Sequence, residues 1–305
     1  MKNTAKAYVA ITTQALIIGF SFLFVKIALR SADTFTLLAH RFTVATVSLL
    51  IYNAFNPGNR RMKRSDWLKI MPYSLAYPIS FFLFQTLGLK IISSSEAGII
   101  QATAPVLTLI AAGIVLKERI GRVQKLFVLA SVSGVIFINA LNGFSLGNYS
   151  YQGFFFIFLS AMSFAVYNVM IKKMSKTYSV DSIVYVMTIT SGVVFNGISI
   201  GMHAMSGSLS TYFEPFMSPT FVWAILYLGV LSSLVTSFLS TYALGKLEAT
   251  KVGLFSNVST AVTILAGMLF LNESLYWYHY VGIAAILVGT LGFNLTKFQG
   301  AKSGE

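Results

Sequence analysis

The chain has 305 residues, of which 56% are hydrophobic, 14% aromatic and only 10% charged. Soluble proteins carry roughly 25% charged residues, so this composition excludes a soluble enzyme, a disordered chain and a nucleic-acid-binding domain. The net charge of +13 does not reverse that, because nucleic-acid binding needs basic residues clustered on one wet face, and here they are scattered between apolar runs.

A helix crossing the hydrocarbon needs about 20 apolar residues. Ten runs qualify in chain order: Tyr8 to Leu29, Phe35 to Phe55, Ile70 to Leu89, Ala97 to Leu116, Leu126 to Leu141, Gly153 to Ile171, Ile183 to His203, Phe221 to Leu244, Val252 to Leu271, and Tyr280 to Leu295. They are continuous rather than alternating, which predicts helices and not barrel strands. Inside lipid a helix satisfies its own backbone groups. Lys2 and Lys6 precede the first run as they would in a signal peptide. That run is long and lacks a small-x-small cleavage site, so it is expected to stay as the first helix.

Lys and Arg set the orientation. With the N-terminus in the cytoplasm, 18 of the 22 basic residues fall on the cytoplasmic side, in clusters such as Arg60, Arg61, Lys63, Arg64 and Lys69. Lys26, Arg30, Arg41 and Lys90 fall on the other side. Both termini are then cytoplasmic, and the protein is expected in the plasma membrane.

The sequence also repeats itself. At an offset of 155 residues, Gly98 matches Gly253, Leu116 matches Leu271, Glu118 matches Glu273, and Gly134 matches Gly289. The shared pattern is an apolar span, Leu-x-Glu-x-[Ile/Leu], and a second apolar span closed by Gly. Five helices per half force the halves into opposite orientations. Lys117, Arg119, Arg122 and Lys125 surround Glu118, whereas residues 274–280 after Glu273 carry no Lys or Arg. The expected fold is therefore an all-α membrane protein of ten transmembrane helices in two inverted repeats. Residues 1–145 and 146–297 form the halves, and 298–305 a cytoplasmic tail. Inverted repeats are characteristic of transporters.

These residues resemble the drug/metabolite transporter superfamily, and within it the EamA-type ten-helix transporters. The resemblance covers nearly the whole chain and rests on Pro105, Glu118 and Gly134 in the first half and Glu273, Gly282 and Gly289 in the second. Gly19, Lys26 and Arg41-Phe42 resemble the family's opening segment. Ile18, Phe127 and Thr260 depart from its pattern. The resemblance implies secondary transport, often export, of amino acids, other metabolites or drugs. It also implies a central cavity lined by helices 1, 3, 4, 6, 8 and 9.

The nine acidic residues all fall near helix ends, in loops or in the tail. A proton-driven pump often uses a deep carboxylate, so a facilitator, or coupling by some less visible route, fits better. His40, His203 and His279 read as interfacial anchors. Lys26 and Arg41 are expected to snorkel to headgroups, with attraction of an anionic substrate at the outer mouth as the second reading. Glu118 and Glu273 read as structural carboxylates that cap the start of the next helix or pair with Arg119 or Arg122. Uncharged polar residues reach the interior, where an amide wants a partner. Gln14, Tyr77, Gln101, Tyr167, Asn168, Ser232 and Asn257 are the candidate cavity lining. Pro78 and Pro105, near mid-span, can kink their helices for gating. Gly197-x-x-x-Gly201 suits helix packing within the monomer or a homodimer.

No phosphate loop or H-E-x-x-H is present, and neither G-x-S-x-G nor the dinucleotide motif occurs in the strand-to-helix context it needs. There is no Cys and only three His, so neither metal nor cofactor is expected. The expected function is secondary transport, in the export direction, of small organic metabolites such as amino acids by alternating access. Missing deep charges point to zwitterionic or neutral solutes. A multidrug exporter is the rival of the same class. An intramembrane enzyme or lipid-handling protein is the rival of a different class, and a receptor or assembly factor is a third.

Overall fold

The computed structural model describes residues 2–55, 64–118, 121–145, 150–273 and 276–300. Arg60, Arg61, Lys63 and Arg119, and the end of the tail from 301, lie outside the described residues. All regular structure among the described residues is helical: α1 Lys2–Ala28, α2 Thr34–Phe55, α3 Arg64–Ile70, α4 Phe81–Ile91, α5 Ser94–Gln101, α6 Ala104–Val115, α7 Arg122–Ser145, α8 Tyr151–Met174, α9 Val180–Met205, α10 Pro219–Leu226, α11 Thr236–Lys246, α12 Ala249–Leu271 and α13 Trp277–Gly300. Seven stretches are long and apolar enough to cross a membrane. They are Thr4–Ala28, Thr34–Phe55, Ser94–Val115, Tyr151–Met174, Val180–Met205, Pro219–Lys246 and Ala249–Leu271. The helices α7 and α13 add 24 residues each. Val9, Ile114, Trp223 and Leu269 stand exposed on their helices, as lipid-facing side chains do where no water has to be met.

The third apolar run is not one helix. Pro72 and Pro78 each lack the backbone N–H that would continue the ladder. A 3-10 turn over Met71–Leu75 and a wider π turn over Ala76–Ser80 therefore separate α3 from α4. Tyr77 sits at the break with φ −148° and ψ 130°. The eighth run is widened in the same way, by a π turn over Tyr227–Val235 between α10 and α11. The fourth run divides at Ala102-Thr103, with Pro105 in the first turn of α6, where a missing N–H costs nothing.

Close helix approach is set by glycine. A methyl group on Gly134 of α7 would lie 2.7 Å from the Gly282 carbonyl oxygen of α13, and one on Gly289 would lie 2.5 Å from the Phe127 carbonyl oxygen. The same reciprocity joins α5 to α12 and α6 to α12. Gly98 faces Thr263, and Gly253 faces Thr108. In each case the two contacts exchange partners at the 155-residue offset. Gly197 and Gly201 are different, because nothing lies within 4 Å of where their side chains would be. Packing within the monomer therefore does not account for that pair.

The α7–α13 contact leads to a test. Gly289→Val would drive its side chain into backbone, which cannot move aside as a side chain could. The expected result is loss of the monodisperse peak in size-exclusion chromatography, while Gly197→Val elutes unchanged.

Candidate functional site

The break at Tyr77 turns helix three inward at the level where α1, α5, α8 and α12 meet. There lies a narrow, partly open cavity walled by Phe22, Phe81, Phe164 and Phe255, with Gln14, Gln101, Ser259 and Thr260 as its polar groups. Its space is about 20 Å³, room for about one water molecule. A metabolite cannot occupy it until the walls part. Two acceptors wait in it, because the side-chain oxygens of Gln14 and Gln101 are buried without a hydrogen-bond partner. A buried, unpaired amide oxygen costs free energy that a donor group on a solute would recover.

Of the seven candidate lining residues, Gln14, Tyr77 and Gln101 border this cavity. Tyr167 stands behind its wall, stacked on Tyr77 with ring centroids 4.1 Å apart. The other three face neighbouring helices. Asn168 donates to Thr108 Oγ1 at 3.3 Å, Asn257 donates to Ser131 Oγ, and Ser232 accepts from Arg41. Thr263, which also borders the cavity, was not singled out in the sequence. It donates to the Gly19 carbonyl at 2.9 Å and so ties α12 to α1.

Arg41 corrects the expectation that it snorkels. It is 0% exposed and lies seven residues into α2, about 10 Å from the helix start at 1.5 Å per residue. Its Nε donates to Ser233 Oγ at 2.7 Å and one Nη to Ser232 Oγ at 2.9 Å. Its guanidinium carbon lies 3.9 Å from the Phe82 ring centroid, a cation–π contact. The other terminal nitrogen, Nη1, is buried and unpartnered. Two serines from the π turn hold the side chain inward, away from the headgroups. The bundle therefore does hold a deep charge, and neutral or zwitterionic solutes are not selected by its absence. His40 and His279 also differ from the anchor reading, since each is only 2% exposed. His40 Nε2 lies 2.9 Å from the Tyr212 carbonyl among aromatic rings. His279 Nδ1 accepts from the Tyr276 backbone.

Glu118 and Glu273 take up free backbone N–H groups at helix starts, but not those of the next helix. Glu118 accepts from Ala249 N at 3.0 Å, Thr250 N at 3.2 Å and Thr250 Oγ1 at 2.7 Å, at the start of α12. Glu273 accepts from Ser94 N, Ser94 Oγ and Ser95 N at 2.9 Å each, and from Ser95 Oγ, at the start of α5. The next helix starts beyond each glutamate, whereas the turn that carries it aims it at the opposite half. Lys117 and Asn272, directly before the two glutamates, both adopt φ 56°, and that left-handed residue makes the turn. Lys26 and Glu273 line one recess, and Lys172 donates to the Leu247 carbonyl at 2.6 Å, beside the helix start that Glu118 caps. Lys26 thus faces a carboxylate, not only headgroups.

An all-helical bundle of long apolar spans, packed around a small cavity with unpaired amides, defines a multi-pass membrane protein of the solute-carrying class. The model of the EamA-like transporter family matches residues 5–140 and again 151–295, and the chain belongs to that family, which makes it a transporter rather than an enzyme. An uncharacterized transporter of Bacillus subtilis, YcxC, is 47% identical over 289 residues, covering 95% of this chain and 93% of that one. An uncharacterized transporter of Archaeoglobus fulgidus is 26% identical over 288 residues, covering 93% and 96%. A WAT1-related chloroplastic protein of Arabidopsis thaliana is 27% identical over 232 residues, covering 73% of this chain and 53% of that one. A crystal structure of another protein superposes with a TM-score of 0.72 over 96% of this chain and 97% of that chain, at 15% identity, a likeness of fold.

The carboxylate caps are open to measurement. Glu273→Ala leaves two backbone N–H groups and two hydroxyls without their acceptor, and should lower stability by about 1–3 kcal/mol. Glu273→Gln, which keeps one acceptor oxygen, should lose less. Thermal unfolding in detergent should rank wild type above Gln above Ala, and the Glu118 variants should follow the same order.

Proposed function

We propose that this protein is a secondary transporter that exports small organic solutes by alternating access, from ten helices in two inverted five-helix halves. The halves are residues 1–145 and 146–297, followed by the short tail 298–305, with both termini cytoplasmic in the plasma membrane. The first half supplies α1, α2, the broken pair α3–α4, the pair α5–α6, and α7. The second supplies α8, α9, the widened pair α10–α11, α12 and α13.

The observation that carries this reading is the exchange of carboxylates. Glu118 caps α12 and Glu273 caps α5, and both donor and acceptor positions correspond at the 155-residue offset. The glycine contacts and the paired left-handed residues support it in the same way. Each half thus reaches across to the other with the same groups, once at each end of the bundle. Two ends held by chemically equal latches give two open states of similar free energy, as alternating access requires. With both latches closed and the cavity shrunk to about 20 Å³, the structure corresponds to an occluded state. Release of the Glu118 latch opens one side and release of the Glu273 latch the other, with bending at the breaks around Pro78 and Pro105. No mid-span carboxylate is available to load a proton, so transport runs down the solute's own gradient.

The ring-lined cavity wall favours a second reading, a multidrug exporter for apolar compounds. Arg41 behind Tyr77 opposes it for lipophilic cations, the usual cargo of such pumps.

Two experiments test the proposal. The chain has no Cys, so single cysteines report topology cleanly. Lys125→Cys should react with an impermeant maleimide from the cytoplasmic side only, and Tyr276→Cys from the outside only. Labelling of both from one side would contradict the inverted halves. In proteoliposomes, a panel of labelled amino acids and metabolites should show saturable flux that persists without a pH gradient. No saturable flux for any solute would defeat the transport reading, and flux that requires the gradient would defeat the uncoupled mechanism.

A further inference from the structure

The buried guanidinium of Arg41 has no part in the mechanism so far. Its charge is permanent, and among the described residues it makes hydrogen bonds only to the hydroxyls of Ser232 and Ser233. No carboxylate offsets it there. An ion buried in this way is costly unless something pairs it, and inside a membrane-spanning bundle the default explanation is a functional partner. A purely structural staple between α2 and the π turn would need only a neutral donor. It would not need a full charge with Nη1 left free.

Its position relates it to the cavity. The Phe82 ring lies against the guanidinium and 5.4 Å from the Tyr77 ring, and Tyr77 borders the cavity. Tyr77 and Phe82 thus stand between the space and the charge, on the segment broken by Pro78. A second observation points to the same ligand chemistry. One turn beyond Phe22 on α1, a wider recess of about 530 Å³ is lined by Lys26, Arg30 and Lys90 together with Glu273. Three cations against Glu273 and the nearby Glu96 leave the recess with a net positive charge. Three of the four basic residues assigned to the outer side by sequence line that recess, and the fourth is Arg41. The recess at the predicted outer side and the guanidinium within the bundle both favour an anion.

Resting on the transport reading above, we propose that Arg41 is the receptor for the anionic group of the transported solute, a carboxylate or its equivalent. It would be reached when Tyr77 and Phe82 swing aside with the break at Pro78. A guanidinium presents parallel N–H groups that fit a carboxylate fork. One fork position, Nη1, is already free, and the two serines hold the plane of the group fixed. The amide oxygens of Gln14 and Gln101 would accept donors from the remainder of the same molecule. The solute class is therefore a small organic acid with hydrogen-bond donors, amino acids included, rather than a neutral metabolite or a lipophilic cation. The charge is embedded in the bundle and separated from lipid, so a free solute and not a headgroup is the source of the anion.

The test compares matched acids and amides in proteoliposomes of phosphatidylcholine alone, where no anionic headgroup competes. Labelled leucine against leucinamide and nicotinate against nicotinamide serve as probes, with the full chain. The expected result is at least tenfold faster saturable uptake of the acid of a pair. Arg41→Lys, which keeps the charge but not the fork, should raise the acid's KM several-fold. Arg41→Gln should abolish the preference for the acid while uptake of the amide persists. Equal uptake of acid and amide by the wild type overturns the inference, whether or not any variant folds. So does an acid preference that survives in Arg41→Gln. Loss of the acid preference in Arg41→Gln, with Arg41→Lys eluting as folded protein and keeping its KM for the amide, supports it. Absence of saturable flux for every probe and for the wider panel overturns the transport reading and this inference with it, whereas flux without acid preference overturns only this one.

Discussion

A helix that starts within a bundle surrounded by lipid carries backbone N–H groups that water cannot reach, and each must be met by some other part of the chain. Two of the helix starts here, α5 and α12, are met by carboxylates from the opposite half. The requirement is local and chemical, and it has a global consequence. Glu118 can satisfy α12 only if the two halves lie against each other at one end of the bundle, and Glu273 can satisfy α5 only if they do so at the other. Those two sets of hydrogen bonds tie the turn that carries Glu118 to the start of α12 and the turn that carries Glu273 to the start of α5. The left-handed turns at Lys117 and Asn272 aim the carboxylates.

The interior works on the same principle with the opposite sign. Arg41 is a buried cation, and the irregular segments of the third and eighth apolar runs provide what holds it. The π turn over Tyr227–Val235 brings Ser232 and Ser233 to it, and the segment after Tyr77 brings the face of Phe82. The irregular backbone is therefore confined to places where it serves a polar group or a cavity, which is where lipid-embedded chains tolerate it.

The fold class was legible in the sequence because hydropathy in a bilayer chain is nearly a direct readout of structure. Continuous apolar runs give spans, and the 155-residue correspondence of Gly98, Glu118 and Gly134 with Gly253, Glu273 and Gly289 marks positions that the fold uses twice. The broken third span is harder to see, because one proline bends a helix and two close together divide it. The candidate site was less legible. Gln14, Tyr77 and Gln101 border the cavity, but Asn168, Ser232 and Asn257 spend their polar groups on Thr108, Arg41 and Ser131. Sequence cannot tell an amide that faces a cavity from one that faces a helix, since both sit at similar depth. Arg41 was misjudged for a related reason. Its distance from the helix end allowed snorkelling, and only the serine pair on a remote segment pulls it inward. The adjacent hydroxyls at 232 and 233 in an apolar run were the available signal.

The central claim is that one cavity faces each side of the membrane in turn. The most direct measurement places a single cysteine on its wall, Ser256→Cys, in this otherwise cysteine-free chain. Membrane-impermeant thiosulfonate is then applied from the outside in intact cells and from the inside in inverted vesicles. The account predicts modification from both faces, slowed in both cases by a transported solute. Modification from one face only, at any solute concentration, would contradict it.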